Sequence, residues 1–151
     1  MAKNRTQQAA DWIAGECLAV RLRMLLRVVN GIYDDALRPL GLRVGQLNLL
    51  VALSKMGETT PTRLGRRLRI EKSTLSRDLE RMIAAGWLQT LPGDDGRSHR
   101  LQATEAGRRL LVDALPRWRE AQKQAQRLLG ASACRSIADA ADALWNEDPA
   151  D

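Results

Sequence analysis

Aromatic residues are scarce, at 3% of the 151 residues. The segments that read as strands hold almost none, which leaves no stacking platform for single-stranded nucleic acid. Cysteine occurs twice, at Cys17 and Cys134. Two are too few for a disulfide scaffold, and a reduced, cytoplasmic setting is the simplest expectation. A single histidine, His99, and the lack of a CxxC pair leave no material for a zinc finger or a multi-histidine metal centre. No cofactor is expected. No run approaches the roughly 18 apolar residues of a spanning helix, and the first residues lack the apolar core of a secretory signal. A glycine-rich phosphate loop is missing, as is any spacing suited to a Ser/His/Asp triad, so the chain does not read as an enzyme.

The rest is that of an ordinary globular chain: 44% hydrophobic and 28% charged, in about one domain's length. The charge is uneven. Residues 1–60 carry a net +3, residues 61–100 a net +4 and residues 101–151 a net −1. A basic centre suggests a polyanion addressed by the middle of the chain; a solvated basic surface without a partner is the alternative.

Helical periodicity dominates. Leu22, Leu25, Leu26, Val29, Ile32, Tyr33 and Leu37 form one stripe, opposite Arg23, Arg27, Asn30 and Asp34, and Pro39 with Gly41 ends that helix. A second helix runs from about Val44 to Lys55, with Leu47, Leu50 and Val51 expected inside. Thr60 and Pro61 read as cap and first residue of a short third helix. A fourth begins at Glu71 or Lys72 with Leu75, Leu79, Met82 and Ile83 as its stripe. The period then changes. Residues 87–91 and 99–103 read as strands around a tip rich in turn formers. Thr104 caps a fifth helix, in which Pro116 predicts a kink, and Gly130 separates it from a last one.

Two short helices and a hairpin make a winged helix-turn-helix, whose second helix enters the major groove. The fourth helix suits that role, because it exposes Lys72, Ser73, Thr74, Ser76 and Arg77. Arg77 is the best candidate for a base contact, since its guanidinium fork matches guanine O6 and N7. Arg63, Arg66, Arg67 and Arg69 supply phosphate-positioning charge. Arg97 at the hairpin tip is placed to enter a minor groove, with Asp95 orienting the tip. The competing reading is a solvated amphipathic helix and a polar turn.

The residues also resemble a known family. Leu40-Gly41-Leu42, Gln46, Leu50 and Thr62-Arg63-Leu64 are followed by the unbroken run from Ile70 through Leu79. Gly86-Trp87-Leu88, Asp95-Gly96-Arg97-Ser98, Leu101 and Ala103 through Gly107 continue the pattern. In order and spacing the chain, over about residues 12–146, is similar to the MarR family of bacterial transcriptional regulators. Gly65, where the family often has alanine, and Glu71, at a capping site, depart from the pattern. The resemblance implies a homodimer built from the terminal helices. Two recognition helices would then read a pseudo-palindromic operator in double-stranded DNA. It further implies a repressor relieved by a small ligand or an oxidant.

The expected fold is therefore mainly α with a small β-hairpin wing. A winged helix-turn-helix spans about 44–103 and dimerisation helices span about 11–38 and 104–145. Residues 1–10 are expected as a flexible N-terminus, the MarR-type domain as 11–146, and residues 147–151 as a tail. Arg23 and Arg27 are candidates for binding a small anionic or aromatic effector; pairing with nearby carboxylates is the alternative. Cys17, near Arg21, is a candidate redox sensor, against the plainer role of a small buried hydrophobe. A winged-helix module that binds protein instead of DNA is the remaining alternative, and no membrane partner is expected.

Overall fold

The long apolar stripe near the N-terminus divides into two halves with different fates. Its lower half packs into a core: Tyr33 and Leu37 are buried, and Val29 and Ile32 lean against them. Its upper half, including Leu22, Leu25 and Leu26, faces outward. The computed structural model that shows this describes residues 4–93 and 98–146. The elements in chain order are α1 (Arg5–Glu16), α2 (Leu18–Leu37), a single 3-10 turn (Arg38–Leu40), α3 (Val44–Met56), α4 (Pro61–Leu68), α5 (Lys72–Ala84), β1 (Leu88–Pro92), β2 (His99–Ala103), α6 (Glu105–Leu129) and α7 (Ala131–Asn146).

One helix was expected where α1 and α2 stand. The break falls at Cys17, whose backbone is extended (ψ 107°). Gly15 weakens the helix just before it, and the Arg21 guanidinium donates to the Gly15 carbonyl. Residues 5–10, expected within a flexible N-terminus, lie in α1. Farther along, α6 continues past Pro116 to Leu129.

The core sits around α3. Leu47, Leu49, Leu50 and Leu53 are all buried, because α2, α6 and β2 pack against α3 from more than one side. Val51, expected inside, is 39% exposed. The start of α3 is tied down by two side chains. The Asp34 carboxylate accepts from the Val44 amide at 2.8 Å, and the buried Gln46 accepts from the Arg43 amide at 3.1 Å, so two amides at the helix start are satisfied. Tyr33 donates its hydroxyl to Gln122 and so joins α2 to α6. Burial pushes that phenol's pKa up, and the neighbouring Cys134 adds to the rise.

The hairpin is antiparallel, in register from Leu88 opposite Ala103 to Pro92 opposite His99. It lies beside α5 on the β1 side. Among the described residues no helix is long and apolar enough to cross a membrane.

Candidate nucleic-acid interface

Backbone bonds shape the turn between α4 and α5. Thr60 caps α4, its hydroxyl accepting from the Arg63 amide at 3.2 Å. The chain leaves α4 through Arg69, whose φ of 51° is left-handed. The Arg69 amide donates to the Arg66 carbonyl at 3.1 Å and the Ile70 amide to the Gly65 carbonyl at 3.0 Å. Gly65 is buried where the two helices meet, and a Cβ there would stand 3.0 Å from Leu75 Cδ2. Glycine costs a helix interior about 1 kcal/mol. Here a Cβ would press on the end of the Leu75 side chain, which would have to give by a few tenths of an ångström.

The helix α5 rests on Leu75, Leu79 and Met82, all buried. Each such side chain stabilises the seat by about 1.5–3 kcal/mol. Ser73, Thr74 and Arg77 are exposed. Arg77 Nε donates to the Ser73 carbonyl at 3.2 Å, which lays the guanidinium along the N-terminal part of the helix. The Ser73 hydroxyl donates to the Glu71 carboxylate. That bond, helped by the Ser73 and Thr74 amides and by the Arg77 charge, holds the Glu71 carboxyl below its ordinary pKa. Lys72 and Ser76 are also exposed but stand along a cavity wall, where Ser76 donates to Glu80 at 3.3 Å. The five residues expected on this helix thus share its outer surface but not one face.

The arginines of α4 separate. Arg63 and Arg66 are exposed and Arg67 is half-buried. Arg69 donates through Nη2 to the Leu144 carbonyl of α7 at 2.9 Å. The expected wing-tip residues Asp95 and Arg97 lie outside the described residues. The base of the wing is well braced: Thr104 donates its hydroxyl to the Gly86 carbonyl at 2.6 Å and its amide to the Trp87 carbonyl at 3.0 Å. Sequence reasoning missed a further brace. Thr59 pairs with Leu101 through two backbone bonds of 3.2 and 2.7 Å, and Glu58 meets Arg100 at 3.5 Å. A one-residue strand has no alternation to detect; the β-branched pair Thr59-Thr60 was the only signal.

A cavity of about 810 Å³ lies between α4, α5 and β2. Ile70, Leu75, Leu79, Ile83 and Leu101 supply its apolar lining, and Arg66, Arg69, Lys72 and Glu80 its charges. Arg23 and Arg27 are exposed on α2 and do not line it. Cys17 is half-buried at the α1–α2 break. Among the described residues no group of three or more His, Cys, Asp or Glu side chains is arranged to hold a metal.

A family profile described as the MarR family matches residues 40–98. The transcriptional regulator MosR of M. tuberculosis, solved in complex with DNA, is 34% identical, with a TM-score of 0.73 over 85% of this chain and 96% of that one. Two more distant structures share the fold. A cysteine-to-serine mutant of E. coli MarR complexed with operator DNA is 18% identical, with a TM-score of 0.76 over 88% of this chain and 96% of its own. A probable transcriptional regulator from Pseudomonas aeruginosa is 23% identical, with a TM-score of 0.76 over 87% and 98%. No curated protein sequence matches.

Proposed function

The chain belongs to the MarR family of transcriptional regulators, not to a family of enzymes, and from that premise we propose that it is a homodimeric, sequence-specific DNA-binding repressor released by a small ligand. The observation that carries the reading is α5. Its apolar back is locked into the core while Ser73, Thr74 and Arg77 open outward from its first turns. Arg77 takes a base edge, Lys72, Ser73, Thr74 and Ser76 take phosphates or neighbouring bases, and Arg63 and Arg66 position the backbone. Arg97 enters the minor groove with Asp95 orienting it. The reading unit spans about 44–103, and the segments 11–38 and 104–145 form the dimer.

Dimerisation is supported by apolar surface that none of the described residues covers. Trp12 is 76% exposed, Leu18 70% and Leu22 61%, with Ile137 and Leu144 also open on α7. Apolar surface of that extent on terminal helices calls for a partner, and a second copy offers a matching face. A twofold dimer then reads two half-sites about 10 bp apart.

For release, the cavity behind α5 is a better seat than Arg23 and Arg27. Its volume is that of a small-molecule site, and Leu75 and Leu79 belong both to its lining and to the seat of α5. With three cationic residues against Glu80 along it, the ligand is anionic and largely apolar.

Selection of bound fragments from a genomic library tests the function. The expected product is a pseudo-palindrome near one helical turn between half-site centres. Arg77→Ala then weakens binding to it by about 1–3 kcal/mol, roughly five- to 150-fold. Uniform weak binding to all fragments would contradict the reading.

A further inference from the structure

Arg69 combines two features that local sequence does not explain. It is the one non-glycine residue with a positive φ among the described residues, at a corner where glycine is the easy choice. Its side chain also leaves α4 altogether and donates to the carbonyl of Leu144, 75 positions along the chain. Leu144 stands two residues before the end of α7 at Asn146. Its carbonyl is therefore among the last four, which have no partner within the helix. A guanidinium there meets both an orphan acceptor and the negative end of the helix dipole.

The two features belong to one residue, and that residue is the hinge of the reading unit. Its backbone sets the angle between α4 and α5, through the Arg69–Arg66 and Ile70–Gly65 bonds. Its guanidinium holds the end of α7, a helix that otherwise packs on α6. We propose that Arg69 is a positioning residue, a tie between the C-terminal helix and the helix-turn-helix corner that fixes where α5 points relative to the rest of the chain. Resting on the dimeric reading above, the tie sets the separation of the two recognition helices. Arg69 is then not a phosphate contact, unlike Arg66 one turn earlier.

The test is Arg69→Gly, which keeps the left-handed corner and removes the tie, with Arg66→Gln beside it. The first readout needs no DNA. Amide exchange over residues 143–146 speeds about two- to tenfold in Arg69→Gly, as expected for the loss of one solvent-exposed hydrogen bond. Arg66→Gln leaves that exchange unchanged. The second readout uses the selected operator. Arg69→Gly accepts one inserted or deleted base pair between half-sites with less loss than the parent, and its salt slope is that of the parent. Arg66→Gln keeps the parent's spacing preference and lowers the slope by about 0.9. Unchanged exchange at the end of α7 in Arg69→Gly overturns the tie whether or not an operator is found. A salt slope lowered by about 0.9 in Arg69→Gly, with spacing preference intact, makes Arg69 a phosphate contact and overturns it too. If no operator is found but exchange still speeds, the sequence-specific reading fails while the tie stands.

Discussion

Replacing Gly107 by alanine should destabilise the fold, although alanine is the better helix former. A Cβ at Gly107 would stand 2.2 Å from the Trp87 carbonyl oxygen, 3.1 Å from its carbon and 3.3 Å from Leu50 Cδ2. Relief needs a shift of about 1 Å, since close-packed carbon contacts lie near 3.5 Å. The carbonyl is not free to give way, because it accepts the Thr104 amide at 3.0 Å and Thr104 is fixed on Gly86. Alanine's intrinsic advantage is at most about 1 kcal/mol. Overpacking costs about 1–3 kcal/mol, and a strained or lost hydrogen bond adds about 1 kcal/mol. The net loss is about 1–3 kcal/mol, which lowers Tm by about 2–4 °C per kcal/mol for a chain of this size. Gly45→Ala is the internal control. Among the described residues nothing lies within 4 Å of its added Cβ, so that variant gains up to about 1 kcal/mol. Urea melts at one protein concentration compare the pair. A Gly107→Ala variant as stable as the parent, or more so, would refute the argument that this contact locks the wing to α6.

Other outcomes follow from the same contacts. The Thr59 hydroxyl is buried without a hydrogen-bond partner among the described residues, so Thr59→Val keeps the backbone pairing with Leu101 and raises stability by about 1 kcal/mol, read as a higher melting midpoint. Leu22→Glu with Leu26→Glu, both on the open half of α2, yields a folded monomer in sedimentation, with circular dichroism like the parent's; a persistent dimer would count against α2 as interface. The lowered Glu71 pKa means that its stabilising share is present above the ordinary carboxylate range and is lost as pH falls through the lowered value. Because the group is fully exposed, the effect is visible by carboxyl NMR titration, and Ser73→Ala moves that titration back toward the ordinary value.

Much of the winged unit is legible from the chain. Thr60, Pro61 and Thr104 announce helix starts, and the change of period after Gly86 announces the hairpin. The outward set on α5 follows from the spacing of Leu75, Leu79 and Met82. What escapes is what depends on distant packing. Val51 is open while Leu49 is buried because α3 is covered on several sides, where a one-face stripe misleads. The break at Cys17 interrupts a stripe whose phase gives no warning. Arg69 looks like one more cation of α4, and only the fold brings it to Leu144. The cavity has no sequence signature, since Leu75 and Leu79 read simply as core.

On the proposed function, two copies of this chain, related by a twofold axis, present their α5 helices to one duplex. Mass measurement of the complex by sedimentation equilibrium, on a duplex holding the selected operator, tests it most directly. Two chains per duplex are expected, with a free protein that is already a dimer. One chain bound per duplex, with a monomeric free protein, would contradict it.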